Sequence, residues 1–97
     1  MKISDTKEIK AANATIFRNF MKANDVTQDK LDAKIGQYVG KKYPERTTSA
    51  EHNRVVARHN LRKELGRDNM PTKVLVKGLT ILGCGKLSID GMLEMRK

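Results

Sequence analysis

The stretch Thr48-Ser-Ala-Glu-His-Asn-Arg-Val-Val-Ala-Arg-His-Asn-Leu-Arg-Lys-Glu-Leu65-Gly66 decides both the fold class and the direction of the functional reading. Thr48 is a favoured N-cap, and Glu51 stands three residues later, the spacing of a capping box. Ala57, Leu61 and Leu65 recur at four-residue steps, which makes one apolar line on a helix over 48–65, and Gly66 ends it. Arg54, Arg58 and Arg62 also step by four, and His59, Lys63 and Arg67 repeat that step on a neighbouring face. The expectation is a rod with an apolar back and a cationic front opposite it. From His52 to Arg67 there are five Arg or Lys residues against one acid, Glu64. An exposed helix that only meets solvent usually mixes Glu with Lys for i,i+4 pairing. Arginine forks suit phosphates and guanine edges, and the Asn60 amide suits adenine, so the stretch reads as a nucleic-acid contact.

The flanking sequence supplies the rest of a mainly α domain. Asp5 and Glu8 have capping-box spacing for a first helix over 5–24, whose inward face is Ile9, Ala12, Ile16, Phe17, Phe20 and Met21. Thr27 caps a second helix over 27–40, with Asp29 in its first turn and Leu31 and Ile35 facing in. Whether this helix stops at Gly36 or runs on through Tyr38 and Val39 to Gly40 is open. Pro44 makes residues 40–47 a loop. Pro71 opens a fourth helix over 71–83, with Val74, Leu75, Leu79 and Leu82 buried and Gly83 closing it. Over 86–95, Lys86-Leu-Ser-Ile89, Asp90-Gly91 and Met92-Leu-Glu-Met95 suggest a β-hairpin, because Asp-Gly suits a tight turn with positive φ at both central residues. The alternation is imperfect, and a single strand is the alternative. The expected architecture is one domain over 1–97, with four helices and a short C-terminal β-strand or hairpin.

Charge is abundant and uneven. The 97 residues carry 20 Lys and Arg against 11 acids, a net charge of +9. Residues 1–40 contribute +2 and 68–97 contribute +2, whereas residues 41–67 hold eight basic and three acidic groups, +5. Such a concentration is the electrostatic footprint of a polyanion partner. Cys84 is the only cysteine, which excludes an intramolecular disulfide and fits a reducing cytoplasm. Met1-Lys2-Ile3-Ser4-Asp5 lacks the apolar stretch of a signal peptide, and no segment reaches membrane-spanning length. His52 and His59 stand seven apart with nothing to complete a metal site, and Gly83-Cys-Gly85 is too short for a phosphate-binding loop. Cys84 reads as a small buried hydrophobe. The expectation is a protein that is not an enzyme and uses no cofactor.

Thr27-Gln-Asp-Lys-Leu-Asp-Ala-Lys-Ile-Gly36 resembles the second helix of the phage-repressor/Cro-like helix-turn-helix family. Val56-Ala-Arg-His-Asn-Leu61 resembles the start of that family's recognition helix, and Pro71 with Leu75, Leu79 and Leu82-Gly83 resembles the helix beneath it. Two departures stand out. About nineteen residues, Gln37 to Val55, separate the two matched segments where the family has only a few, which implies an enlarged turn and a third helix extended at its N-terminus. Asp32 also stands where the family has a small apolar residue.

The resemblance implies a double-stranded DNA-binding transcription regulator of phage or plasmid type, a repressor or an activator, acting by occlusion or by touching RNA polymerase. Gln28 would touch the DNA backbone or a base edge. Arg58, His59, Arg62 and Lys63, with Asn60 and Arg67 on the same helix, would sit in or beside the major groove. Lys41, Lys42, Arg46 and Arg54 would hold phosphates. Leu87, Ile89, Leu93 and Met95 would join two copies into a homodimer or cover their own domain. RNA binding through the same basic helix, or inhibition of a host enzyme by a protein that retains the scaffold, are the alternatives.

Overall fold

A computed structural model describes residues 6–44 and 49–95. The chain forms five helices: α1 Lys7–Ala23, α2 Gln28–Lys42, α3 Ser49–Leu65, α4 Thr72–Ile81 and α5 Lys86–Glu94. The first two starts follow from polar capping. Thr6 caps α1, its Oγ1 accepting from the Ile9 N–H at 3.1 Å. The cap expected at Asp5 lies outside the described residues, and Thr6 occupies that role. Thr27 caps α2 as expected, accepting from the Lys30 N–H at 3.2 Å. Thr48 lies outside the described residues, and Glu51 sits in the first turn of α3.

Helix α2 extends past both Gly36 and Gly40 to Lys42, because Pro44 rather than either glycine is the residue that cannot continue it. Residues 43–48 therefore separate α2 from α3. Two other helix ends are closed by paired backbone bonds. After α1, the Val26 N–H donates to Met21 O at 2.8 Å and Asp25 N–H to Lys22 O at 3.4 Å, with Asp25 left-handed at φ 53°. After α4, Cys84 N–H donates to Leu79 O and Gly83 N–H to Thr80 O, both at 3.0 Å, with Gly83 at φ 93°. This is the six-to-one plus five-to-two pattern of the Schellman motif, which needs a left-handed residue just past the helix.

The expected C-terminal strand or hairpin is not what forms. Residues 86–94 are helical, and Asp90-Gly91 lies within α5 instead of a turn. The physical reason is the apolar spacing. Ile89, Met92 and Leu93 stand at i, i+3 and i+4, so a helix turns all three towards the core, whereas a strand would split the adjacent Met92 and Leu93 between two faces. Ile89 is buried, and Met92 and Leu93 pack half-buried against the core.

Phe17 of α1, Leu31, Ile35 and Val39 of α2, Leu61 and Leu65 of α3, and Leu75 and Leu79 of α4 form one buried cluster closed by Met70. Asn13 is the one buried polar side chain among the described residues. Its amide donates to Met70 O at 2.8 Å and to Thr72 Oγ1 at 3.1 Å, while the Met70 N–H donates back to Lys10 O at 2.9 Å. This clasp fixes α1 against the start of α4. Gly78 lets α1 and α3 approach α4 closely: a Cβ there would stand 2.7 Å from Leu65 Cδ2 and 2.8 Å from Phe17 Cε1.

Candidate nucleic-acid interface

The candidate surface is built by α2 and α3, which share the most extensive contact of any helix pair. Arg54 Nε donates to Tyr43 O at 2.7 Å beside the connection. Farther along, the Arg58 guanidinium lies over Gly36, with Nη2 3.6 Å from where a glycine Cβ would stand. At the far end Arg62 Nε meets Asp32 Oδ1 at 3.1 Å, and Gln28 Nε2 donates to the same oxygen at 3.1 Å. As numbers rise on α3 they fall on α2, so the two helices run as an antiparallel hairpin.

That pairing corrects one expectation. The Arg54–Arg58–Arg62 line does not lie opposite the apolar line; it runs beside it, along the seam with α2. Each of these arginines precedes Ala57, Leu61 or Leu65 by three residues, and i,i+3 neighbours share a helix flank. Arg54 is half-buried, Arg62 is partly neutralised by Asp32, and Arg58 stays exposed over the glycine. Asp32, out of place as a core residue, is explained by its partners: it is the counter-charge of Arg62.

The face of α3 that points away from the core carries His52, Val55, Val56, His59, Asn60 and Lys63, all exposed. Val55 is 60% exposed and Val56 42%. Glu51 is exposed at the N-terminal end of α3, and Glu64, next to Lys63, is half-buried. Towards the C-terminal end, His59, Arg62 and Lys63 line a shallow depression together with Gln28. Four sequence-selected residues thus converge from two helices. Arg67 is exposed just beyond α3, and its carbonyl accepts from Arg18 Nη2 at 3.5 Å.

Other selected residues do not join this group. Lys41 lies on the opposite flank of α2, beside Lys34, Tyr38 and Thr80 of α4. Lys42 is exposed at the helix end, its Nζ 5.9 Å from the centre of the Tyr43 ring. Arg46 lies outside the described residues. Of the four residues assigned to dimer formation, Ile89 is buried and Leu93 is packed against the core, because α5 is a helix that turns them inward. Leu87 and Met95 are 88% and 83% exposed and share the outward line of α5 with Gly91. Met95 and Met92 also border an apolar groove against Ile16 and Phe20 of α1.

Sequence reasoning left Val55 and Val56 out of the site. The signal was available, since neither belongs to the Ala57–Leu61–Leu65 line. Cys84 is half-buried, and burial pushes its thiol pKa up, which disfavours the thiolate. Among the described residues no three His, Cys, Asp or Glu side chains cluster as metal ligands, and no helix is long and apolar enough to cross a membrane. Comparison with protein-family models, with curated proteins and with solved structures gives no match.

Proposed function

We propose that the protein binds duplex DNA through the outward face of α3 and acts in the cytoplasm as a transcription regulator without catalytic activity. The observation that supports this best is the composition of that face. Its exposed residues are imidazoles, an amide, a lysine and two valines, flanked by Arg58 and Arg62. Seventeen residues make a rod of about 25 Å, and a helix fits the roughly 12 Å width of the major groove. In that groove His59, Asn60 and Lys63 meet base edges, while Val55 and Val56 offer apolar contact to thymine methyl groups. Arg58 and Arg67 hold the flanking phosphates and set the salt dependence, while Arg62 and Gln28 stand beside them engaged by Asp32. The antiparallel hairpin with α2 leaves the outward face of α3 exposed, so groove entry does not depend on the short turn of the family that the sequence resembles.

Two copies joined through the outward line of α5, Leu87, Gly91 and Met95, would present two such helices to a pair of half-sites. Selection from a random duplex library, followed by competition with single strands and structured RNA, tests the reading. The expected result is an enriched motif with two-fold symmetry that duplex competes for best. Absence of any enriched motif, or stronger competition by structured RNA, would overturn it in favour of shape-directed RNA binding.

A further inference from the structure

A second feature lies on the other side of Arg62. At the junction of α1, the start of α2 and the end of α3 is a cavity of about 400 Å³. Its floor is apolar: Phe17, Met21, Val26, Leu31 and Leu65. Its rim is cationic and polar, made by Arg18, Lys22, Arg62 and the Gln28 amide, and no carboxylate lines it. The acids that pair with two of these cations, Asp68 with Arg18 and Asp32 with Arg62, are not among the lining residues. Lys22 is exposed, and no acid among the described residues pairs with it.

An apolar pocket with a few convergent polar groups, in the roughly 300–1,000 Å³ range, is the usual form of a small-molecule site. The distribution of charge selects the ligand. Lys22, with Arg18 and Arg62 that are shared with Asp68 and Asp32, stands above a floor without acids, which favours one negative head on an apolar body and disfavours a cation or an uncharged amphiphile. We propose that this cavity binds an amphipathic carboxylate, with its chain on Phe17, Val26 and Leu65 and its head between Lys22 and Arg62. A carboxylate has the geometry to accept from an arginine fork, so it competes with Asp32 for Arg62.

The position has a consequence that rests on the proposed DNA-binding role. Arg62 and Gln28 line both this cavity and the depression on α3. A carboxylate held at Arg62 adds a second negative charge beside the phosphate-binding set, and that charge repels the DNA backbone. The occupied protein then binds duplex more weakly, and by linkage duplex weakens the ligand by the same factor.

Decanoate below its micelle concentration is the probe, measured first by calorimetry on the whole chain with no nucleic acid present. The expected result is saturable one-to-one binding, with decanol and decyltrimethylammonium at least tenfold weaker. Two variants locate the site. Val26→Trp fills the cavity and leaves every charge in place, and Lys22→Glu changes an exposed rim residue without touching the floor. Each should weaken decanoate at least tenfold. Non-saturable uptake, equal binding of decanol, or decanoate binding unchanged in both variants would overturn the proposal. A second titration, with labelled duplex, separates the two readings. If decanoate binds in the cavity but leaves duplex affinity unchanged, the competition at Arg62 is wrong and the ligand site stands. If the protein binds no duplex, the DNA-binding role fails while the calorimetry still decides the cavity.

Discussion

Removing a single acid should strengthen DNA binding. Asp32 accepts from both Arg62 Nε and Gln28 Nε2 at 3.1 Å, so it occupies two groups of the proposed phosphate-binding set at once. In Asp32→Ala the net charge rises from +9 to +10, by removal of one negative group, and both donors are released. The fold should tolerate the change. The Arg62 side chain is 52% exposed and that of Asp32 29%, and ion pairs of this kind contribute about 0–1 kcal/mol. The effect on binding has a distinctive salt signature. One additional phosphate contact steepens the slope of log K against log salt by about 0.9. Over a fourfold rise in salt, the affinity gained by the variant should therefore shrink by roughly threefold. Fluorescence anisotropy with a labelled duplex at a series of salt concentrations, beside a urea denaturation curve, measures both quantities. Weaker binding by Asp32→Ala, or a slope parallel to that of the unmodified protein, would refute the reasoning that Arg62 is a phosphate ligand held in reserve.

Gly91→Ala should stabilise the protein by about 0.5–1 kcal/mol, because Gly91 is an exposed interior helical position with no atom within 4 Å of the added methyl. In a tight hairpin turn the same substitution would be destabilising, so the sign of the change in urea midpoint reports the conformation of α5. Asn13→Ala should cost about 1–3 kcal/mol, since it strips Met70 O and Thr72 Oγ1 of a buried donor; a change below 0.5 kcal/mol, on the order of a surface substitution, would show that the clasp contributes little. Cys84, with its thiol pKa raised by burial, should react with iodoacetamide at neutral pH several-fold more slowly in the folded protein than in urea. Equal rates in the two states would contradict the burial of that side chain.

The helical periodicities were legible in the sequence because each sits on residues that bury their own side chains. Phe17, Leu31, Leu61 and Leu75 mark four inward faces, and each one is buried. The C-terminal segment was misread because a strong local turn signal at Asp90-Gly91 was set against a weak one. Three apolar residues, Ile89, Met92 and Leu93, are too few to establish a helical period alone, and it is their packing on the core that decides. Part of the site is legible too: His59, Arg62 and Lys63 from the basic steps of their helix, and Gln28 from the resemblance of its helix to the family's second helix, and the four converge. The orientation of the arginine line was not, because a four-residue step says which residues share a face and not which neighbour that face meets. Only the antiparallel placement of α2, with Gly36 under Arg58 and Asp32 beside Arg62, assigns that line to the seam.

Two basic surfaces compete for the role of DNA contact, the outward face of α3 and the flank of α2 that carries Lys34 and Lys41, and mapping amide shifts by NMR during titration with the selected duplex distinguishes them directly. The expected result is perturbation concentrated on residues 52–67 and at Gln28, weakened by Lys63→Ala and strengthened by Asp32→Ala. Perturbation centred on Lys34, Lys41 and Thr80, with α3 silent, would contradict the central claim.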